Sequence, residues 1–151
     1  MPKLPILFAL AALTLTASSA EATRTRCRLT PRQVVTNFMT EFYIQKQVHH
    51  AFETWVDPGY IQHNPMAATG RDAAIAFLEP FFTNNPGLHY EIHRIIADGN
   101  LVAVHAHGQM NAEDRGMAVI DILRVEGCRV MEHWDVVQPV PEHAANPNTM
   151  F

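Results

Sequence analysis

Beyond residue 19 the chain contains no serine, which excludes a Ser-His-Asp hydrolase. Lysine is nearly as scarce. After Lys3 the only one is Lys46, in a polar stretch, a poor setting for Schiff-base chemistry. The seven glycines are scattered and form neither a phosphate loop nor a dinucleotide fingerprint. Basic residues do not form runs apart from Arg24-Thr25-Arg26-Cys27-Arg28, and the formal charge is −4, so nothing invites nucleic acid. Both cysteines, Cys27 in a leader and Cys128 in a turn, have structural rather than nucleophilic settings. No motif calls for a cofactor, and there are no internal repeats.

The start of the chain differs from the rest. Met1-Pro2-Lys3 is followed by an apolar run from Leu4 to Thr16 and then by Ala17-Ser18-Ser19-Ala20. This is the pattern of a secretory signal peptide over residues 1–20, cleaved after Ala20 or, second, after Ala22, and too short for a comfortable membrane span. The mature protein is therefore expected to be secreted or periplasmic, with no membrane attachment after cleavage. Residues 21–29 form a flexible leader. Removing Lys3 leaves ten basic against fifteen acidic residues. An oxidising compartment allows a Cys27–Cys128 disulfide, although spacing along a chain does not show whether two Cα atoms meet.

Thr30-Pro31-Arg32-Gln33 opens a helix, with threonine as cap, proline at the first helical position and glutamine completing a capping box. Val34, Val35, Phe38, Met39 and Phe42 recur at helical spacing. A second helix spans about Val48–Val56 and is stopped by Asp57-Pro58-Gly59. Tyr60–Pro65 is a short extended segment. A third helix follows Gly70, with Asp72 as cap and Pro80 expected to kink or shorten it. From Leu88 the period becomes two. Four antiparallel strands are predicted, turning at Asp98-Gly99-Asn100, over a polar connection at Asn111–Gly116, and at Gly127. Helices first and strands last predict an α+β fold, a curved antiparallel sheet wrapped around N-terminal helices as a cone-shaped α+β barrel.

Asp121 lies in the apolar strand Val119-Ile120-Asp121-Ile122-Leu123. A buried acid there is costly unless a site uses it. All nine histidines fall between His49 and His143. His105 and His107 share one strand face with Leu101 and Ala103, a cavity lining suited to a general base. His63 is a third candidate base. His-x-His also admits a metal reading, zinc or iron completed by Asp121 or Glu132. His133 and Trp134 point to opposite faces, and Trp134 is taken as a wall of the pocket. Tyr60 and Tyr90 can offer phenols to an oxyanion.

Three motifs carry a family resemblance: Tyr60-Ile61-Gln62-His63-Asn64-Pro65, Val119–Val125, and Val130-Met131-Glu132-His133-Trp134-Asp135. From about residue 31 to its end the chain resembles the SnoaL-like polyketide cyclases of the nuclear transport factor two-like superfamily. More narrowly it is similar to the group predicted to catalyse aldol condensations, which Gln138–Glu142 and Asn148-Thr149-Met150-Phe151 also suit. The resemblance implies a SnoaL-like domain over 30–138, a tail over 139–151 and a homodimer. It implies Asp121 as acid/base and Asn64 as a substrate contact. Ketosteroid isomerase, related by fold, keeps an aspartic acid neutral to hydrogen-bond an oxyanion. Its separate carboxylate base precedes a proline, where this chain has Asn64-Pro65, so steroid isomerisation is disfavoured.

The expected protein is a small exported, cofactor-independent acid/base enzyme. Its partner would be a small hydrophobic carbonyl compound, closed by an aldol step, isomerised or dehydrated. Asp121 would serve the oxygen, and His105, His107 or His63 the carbon-bound proton. The rivals are a non-catalytic binding module of the same fold and a metal-dependent enzyme built on His105 and His107.

Overall fold

A computed structural model describes residues 27–151. The expected signal peptide, and the leader as far as residue 26, lie outside the described residues. Helix α1 (Pro31–Met39) begins as its sequence dictates. The Thr30 side chain accepts from the Gln33 N–H, the Gln33 side chain returns the bond, and Pro31 needs no partner. Its last turn widens into a π-helical turn over Thr40–Ile44, which buries Phe42 and Tyr43 together. Helix α2 (Val48–Trp55) follows and passes directly into strand β1 (Val56–Gln62). Asp57-Pro58-Gly59 thus stops the helix by starting an extended segment. Pro58 is tolerated because it falls within an irregularity between Val56 and Ile61 on an edge strand.

Helix α3 (Arg71–Asn84) departs from expectation at its cap. Its cap is Gly70 at φ 103°, with Asp72 in the first turn, and Pro80 neither shortens nor ends it. The carbonyl that Pro80 leaves without a donor is that of Ala76, on the exposed side of the helix, where water can serve it. Strands β2 (His89–Asp98), β3 (Leu101–Gln109), β4 (Met117–Glu126) and β5 (Arg129–Pro139) complete a five-stranded sheet in the order β1-β5-β4-β3-β2. Only β1–β5 is parallel. The sheet curves around the helices without closing. Among the described residues no helix is long and apolar enough to cross a membrane.

The turn between β4 and β5 has Gly127 at φ 54° and Cys128 at φ 69°, the double positive φ of a tight two-residue hairpin turn. Cys128 is held in this position by a disulfide to Cys27, the two Cα atoms 5.4 Å apart. The bond ties the segment before α1 to the far end of the sheet.

The helical side of the sheet is the core. It buries Val102, Val104 and Ala106 of β3, and Val119, Leu123 and Val125 of β4. One bulge sets which side chains of β5 join them. Val125 pairs with Val130, but Arg124 pairs with Glu132. The extra residue leaves Val130 inward and then turns His133, Asp135 and Val137 inward in place of Glu132, Trp134 and Val136.

Candidate active site

Between the helices and the inner face of the sheet lies a cavity of about 250 Å³. Phe38, Phe42, Phe52 and Phe82 give it aromatic walls, with Val119 and Leu123 along its floor. At its rim, Met66 is 81% and Phe77 53% exposed, which opens it to solvent on the α3 side. The polar end collects residues from five places. Tyr43 comes from the π-helical turn, Tyr60 and Gln62 from β1 with Asn64 just beyond, Tyr90 from β2, Asp121 from β4, and His133 and Asp135 from β5. Among the described residues no lysine or arginine lines the cavity.

Asp121 is 3% exposed, the only buried charged residue among those described. Both of its oxygens are occupied. The Tyr43 hydroxyl donates to Oδ2 at 2.9 Å, and His133 Nε2 lies 2.9 Å from Oδ1. The other side of the imidazole is decided by a chain of bonds. The backbone N–H of Asn64 donates to Gln62 Oε1 at 2.9 Å, which identifies that atom as the amide oxygen. His133 Nδ1 lies 2.9 Å from the same oxygen and must therefore carry hydrogen. Gln62 Nε2 donates in turn to the Tyr60 hydroxyl at 3.1 Å. With Nδ1 protonated, the Nε2–Oδ1 contact holds one further proton. It sits on the acid facing a neutral imidazole, or on the imidazolium facing a carboxylate. Across the β4–β5 ladder, Asp121 pairs directly with Asp135, whose Oδ2 accepts from Asn64 Nδ2 at 2.6 Å.

The surrounding phenols are held in their protonated form. Burial, and then the charge of Asp121, push Tyr43 well above the ordinary tyrosine value. Tyr60 is raised for the same reasons, and Tyr90 is pushed up to about 12. Tyr43 is thus a standing donor to Asp121. Its ring stacks on Tyr90 with centroids 3.9 Å apart and planes 5° apart, which fixes the direction of the hydroxyl.

Of the residues singled out from sequence, Asp121, Asn64, Tyr60 and Tyr90 line the cavity. His105, His107, His63 and Trp134 do not. His105 and His107 alternate with the buried Val104 and Ala106, so they stand on the outer face of β3. There Arg94 Nη1 donates to His105 Nδ1 at 2.6 Å, and His107 Nε2 donates to the Arg115 carbonyl at 2.8 Å. The C-terminal Phe151 ring stacks on both histidines. Trp134 is turned outward by the bulge and stacks on His63 at 4.6 Å. His63 Nε2 donates to Glu132 Oε1 at 2.8 Å, and Glu132 also accepts from Arg124 Nε at 2.7 Å. That pairing, Arg124 first, holds the Glu132 carboxyl below its ordinary range.

The metal set drawn from His105, His107 and Asp121 or Glu132 does not form, because the sheet separates those histidines from Asp121 and β4 separates them from Glu132. The ligand atoms that do converge among the described residues belong to Asp121, His133 and Asp135, all within 4.8 Å of one another. They are the group with a geometry for a cation. Sequence reasoning missed Tyr43, Gln62, His133 and Asp135 as site residues. The motif Glu132-His133-Trp134-Asp135 held two of them, but without the bulge its alternation favoured the wrong pair.

Solved structures with this architecture are numerous. An NTF2-like protein of unknown function from Cytophaga hutchinsonii superposes with a TM-score of 0.60 at 17% identity, covering 75% of this chain and 94% of its own. A protein provisionally named a polyketide cyclase, from Acidithiobacillus ferrooxidans, gives 0.59 at 16% identity, covering 74% and 90%. A SnoaL-like protein of unknown function from Burkholderia thailandensis gives 0.59 at 17%, covering 72% and 94%. At these identities the likeness is one of fold. No curated protein matches the chain. The family model of the SnoaL-like domain matches residues 35–133, most of the described chain. With its α+β architecture and an acid-bearing cavity on the inner face of the sheet, the chain belongs to the SnoaL-like domain family.

Proposed function

We propose that this protein is a cofactor-independent acid/base enzyme acting on an apolar carbonyl compound. The observation that carries the reading is Asp121. It lies at the end of an apolar cavity, fixed by Tyr43 and sharing a proton with His133. A carbonyl oxygen placed against this pair would receive the proton as the neighbouring carbon becomes enol-like. Fixed donors in a water-poor site stabilise such an oxyanion far better than bulk solvent does. The enol would then close on a second carbonyl in an aldol step, shift its double bond, or lose water. The polyketide cyclase naming of a structural relative agrees with the first outcome.

Export is part of this reading, supported by the N-terminal pattern and by a disulfide that suits an oxidising compartment. So is a homodimer, supported by Ile96, Leu101 and Val136 standing exposed on the outer side of the sheet.

The test uses simple ketones such as 2-tetralone. Wild-type protein should bind them in thermal-shift and calorimetric titrations and should speed exchange of their α-hydrogens with deuterated solvent. Asp121→Asn should keep the fold and lose roughly 100-fold or more of the exchange rate. Binding without exchange in the wild type would assign the cavity to a carrier.

A further inference from the structure

The polar end of the cavity holds more ligand chemistry than proton transfer needs. We propose that Asp121, His133 and Asp135 form a binding site for a divalent transition-metal ion, zinc foremost, and that this ion and the proton shared by Asp121 and His133 exclude one another. Binding of the ion stands apart from the acid/base reading above. Its effect on catalysis rests on that reading.

Geometry comes first. Each of the three residues offers one ligand atom, and these atoms lie within 4.8 Å of one another. His133 Nε2 and Asp121 Oδ1 are 2.9 Å apart. Zinc bonds of about 2.0–2.2 Å in a tetrahedron set neighbouring ligand atoms roughly 3.4 Å apart. One edge of the set therefore widens slightly, and the others close by about 1.4 Å at most. The imidazole is also turned the right way. Gln62 Oε1 fixes hydrogen on Nδ1, so Nε2 is the atom that can present a lone pair. The carboxylates are held from outside the set, Asp121 by the Tyr43 hydroxyl and Asp135 by Asn64 Nδ2. Each ligand thus has an outer partner of the kind that orients metal ligands.

Two needs that no protein group meets point to the same occupant. Asp121 and Asp135 are direct cross-strand partners, an unfavourable place for two like charges. Among the described residues no lysine or arginine lines the cavity to offset them. Tyr60 is 4% exposed and lines the same cavity, its ring centroid 6.4 Å from that of His133. Its hydroxyl accepts from Gln62, and among the described residues its own hydrogen has no acceptor. A divalent cation supplies the positive charge, and an oxygen ligand carried by that cation supplies the acceptor.

The donor set selects the ion. Calcium takes about six to eight oxygen ligands and magnesium a near-ideal octahedron of them. One imidazole with two carboxylates suits zinc and its neighbours in the transition series, with the cavity side left for a further ligand. The ion takes the Nε2 lone pair and an Asp121 oxygen, the atoms between which the proton lies. That proton leaves to solvent, and a ketone oxygen in the cavity then meets no acid. Zinc is thus an inhibitor of the proposed reaction and not its cofactor.

The experiment titrates zinc chloride into the chelator-stripped, disulfide-bonded protein by calorimetry and follows cobalt(II) by visible absorption. Wild type should bind one equivalent of zinc and give the intense cobalt bands of a low-coordinate site. Asp135→Asn and His133→Gln should each weaken zinc roughly 100-fold or more, and Gln62→Ala, which touches no ion, roughly 10-fold. The double variant His105→Gln, His107→Gln should bind as wild type does. Melting curves establish that each variant is folded, and zinc should raise the melting temperature of wild type but not of Asp135→Asn. Saturating zinc should slow α-hydrogen exchange of 2-tetralone roughly 10-fold or more, and chelator should restore it. Unchanged zinc affinity in both Asp135→Asn and His133→Gln, or its loss in the outer-face double variant, would place the ion elsewhere and overturn the proposal. Wild type that gives neither heat nor cobalt bands would overturn it too, and ketone exchange in that same protein would leave the acid/base reading intact. Exchange that rises with zinc would overturn the mutual exclusion. Zinc bound at this site with no ketone exchange under any condition would uphold the metal site and remove the acid/base reading.

Discussion

The two faces of one sheet hold the same residue type in opposite circumstances. On the inner face, His133 is gripped at Nδ1 by an amide oxygen and meets a buried acid at Nε2. On the outer face, His105 faces Arg94 and His107 gives its hydrogen to a backbone carbonyl, both beneath Phe151. An outer histidine is thus already satisfied by scaffold groups. The inner one is satisfied by a proton that a ligand can take. A ring's usefulness is set by what holds its two nitrogens, and a count of histidines carries little of that information.

If both faces belong to one cooperative unit, the largest effect should come from the bond that anchors their shared hairpin. Replacing Cys27 and Cys128 by alanine opens a loop with a sequence separation of 101. This should cost about 2–5 kcal/mol in urea unfolding, and the fluorescence and activity transitions should still coincide. Separate transitions would show that the faces unfold independently.

The sharpest contrast between the faces is catalytic. His133→Ala should lower ketone exchange roughly 100-fold or more, whereas His105→Ala and His107→Ala should each stay within about twofold of wild type. Equal losses on both faces, measured in the same NMR assay, would erase the distinction. Stability should divide in the same way. Tyr43→Phe leaves Asp121 Oδ2 buried without its donor, a loss of about 1–3 kcal/mol, while His107→Gln should cost about 0.5 kcal/mol or less.

The smallest expected effect concerns pH. Burial first, then Arg94 and His93, hold His105 below the ordinary histidine value. The unfolded chain therefore takes up this proton at higher pH than the folded one. The associated stability is complete above the ordinary value, near 6.5, and falls away as pH drops toward the lower folded value. His105→Gln should flatten the stability profile over that acidic limb and leave it unchanged above. An unaltered profile would place the pH sensitivity on other groups.

Much of this arrangement was legible in residues. The capping box at Thr30-Pro31-Arg32-Gln33, the change of period at Leu88 and the Gly127 turn are local signals, and each formed as its chemistry requires. Asp121 was legible as an inward acid because its neighbours two places away on either side are Val119 and Leu123. His105 and His107 were misplaced by a plausible but wrong choice of face. Val102, Val104 and Ala106 make the more apolar side of β3, and that side became the core. Tyr43 gave no pattern to read, since its inward turn depends on an unusual helical turn after Met39.

The order of elements, the apolar strand bearing an acid, and the absence of nucleophilic serine followed from the amino-acid sequence, because each depends on neighbouring residues and their periodicity. Which of His133 and Trp134 entered the cavity did not. Both alternations along β5 mix polar with apolar side chains, so burial energy along that strand alone does not choose between them. The choice was made by a bulge where β5 aligns with β4, a pairing between residues that only the assembled sheet brings together.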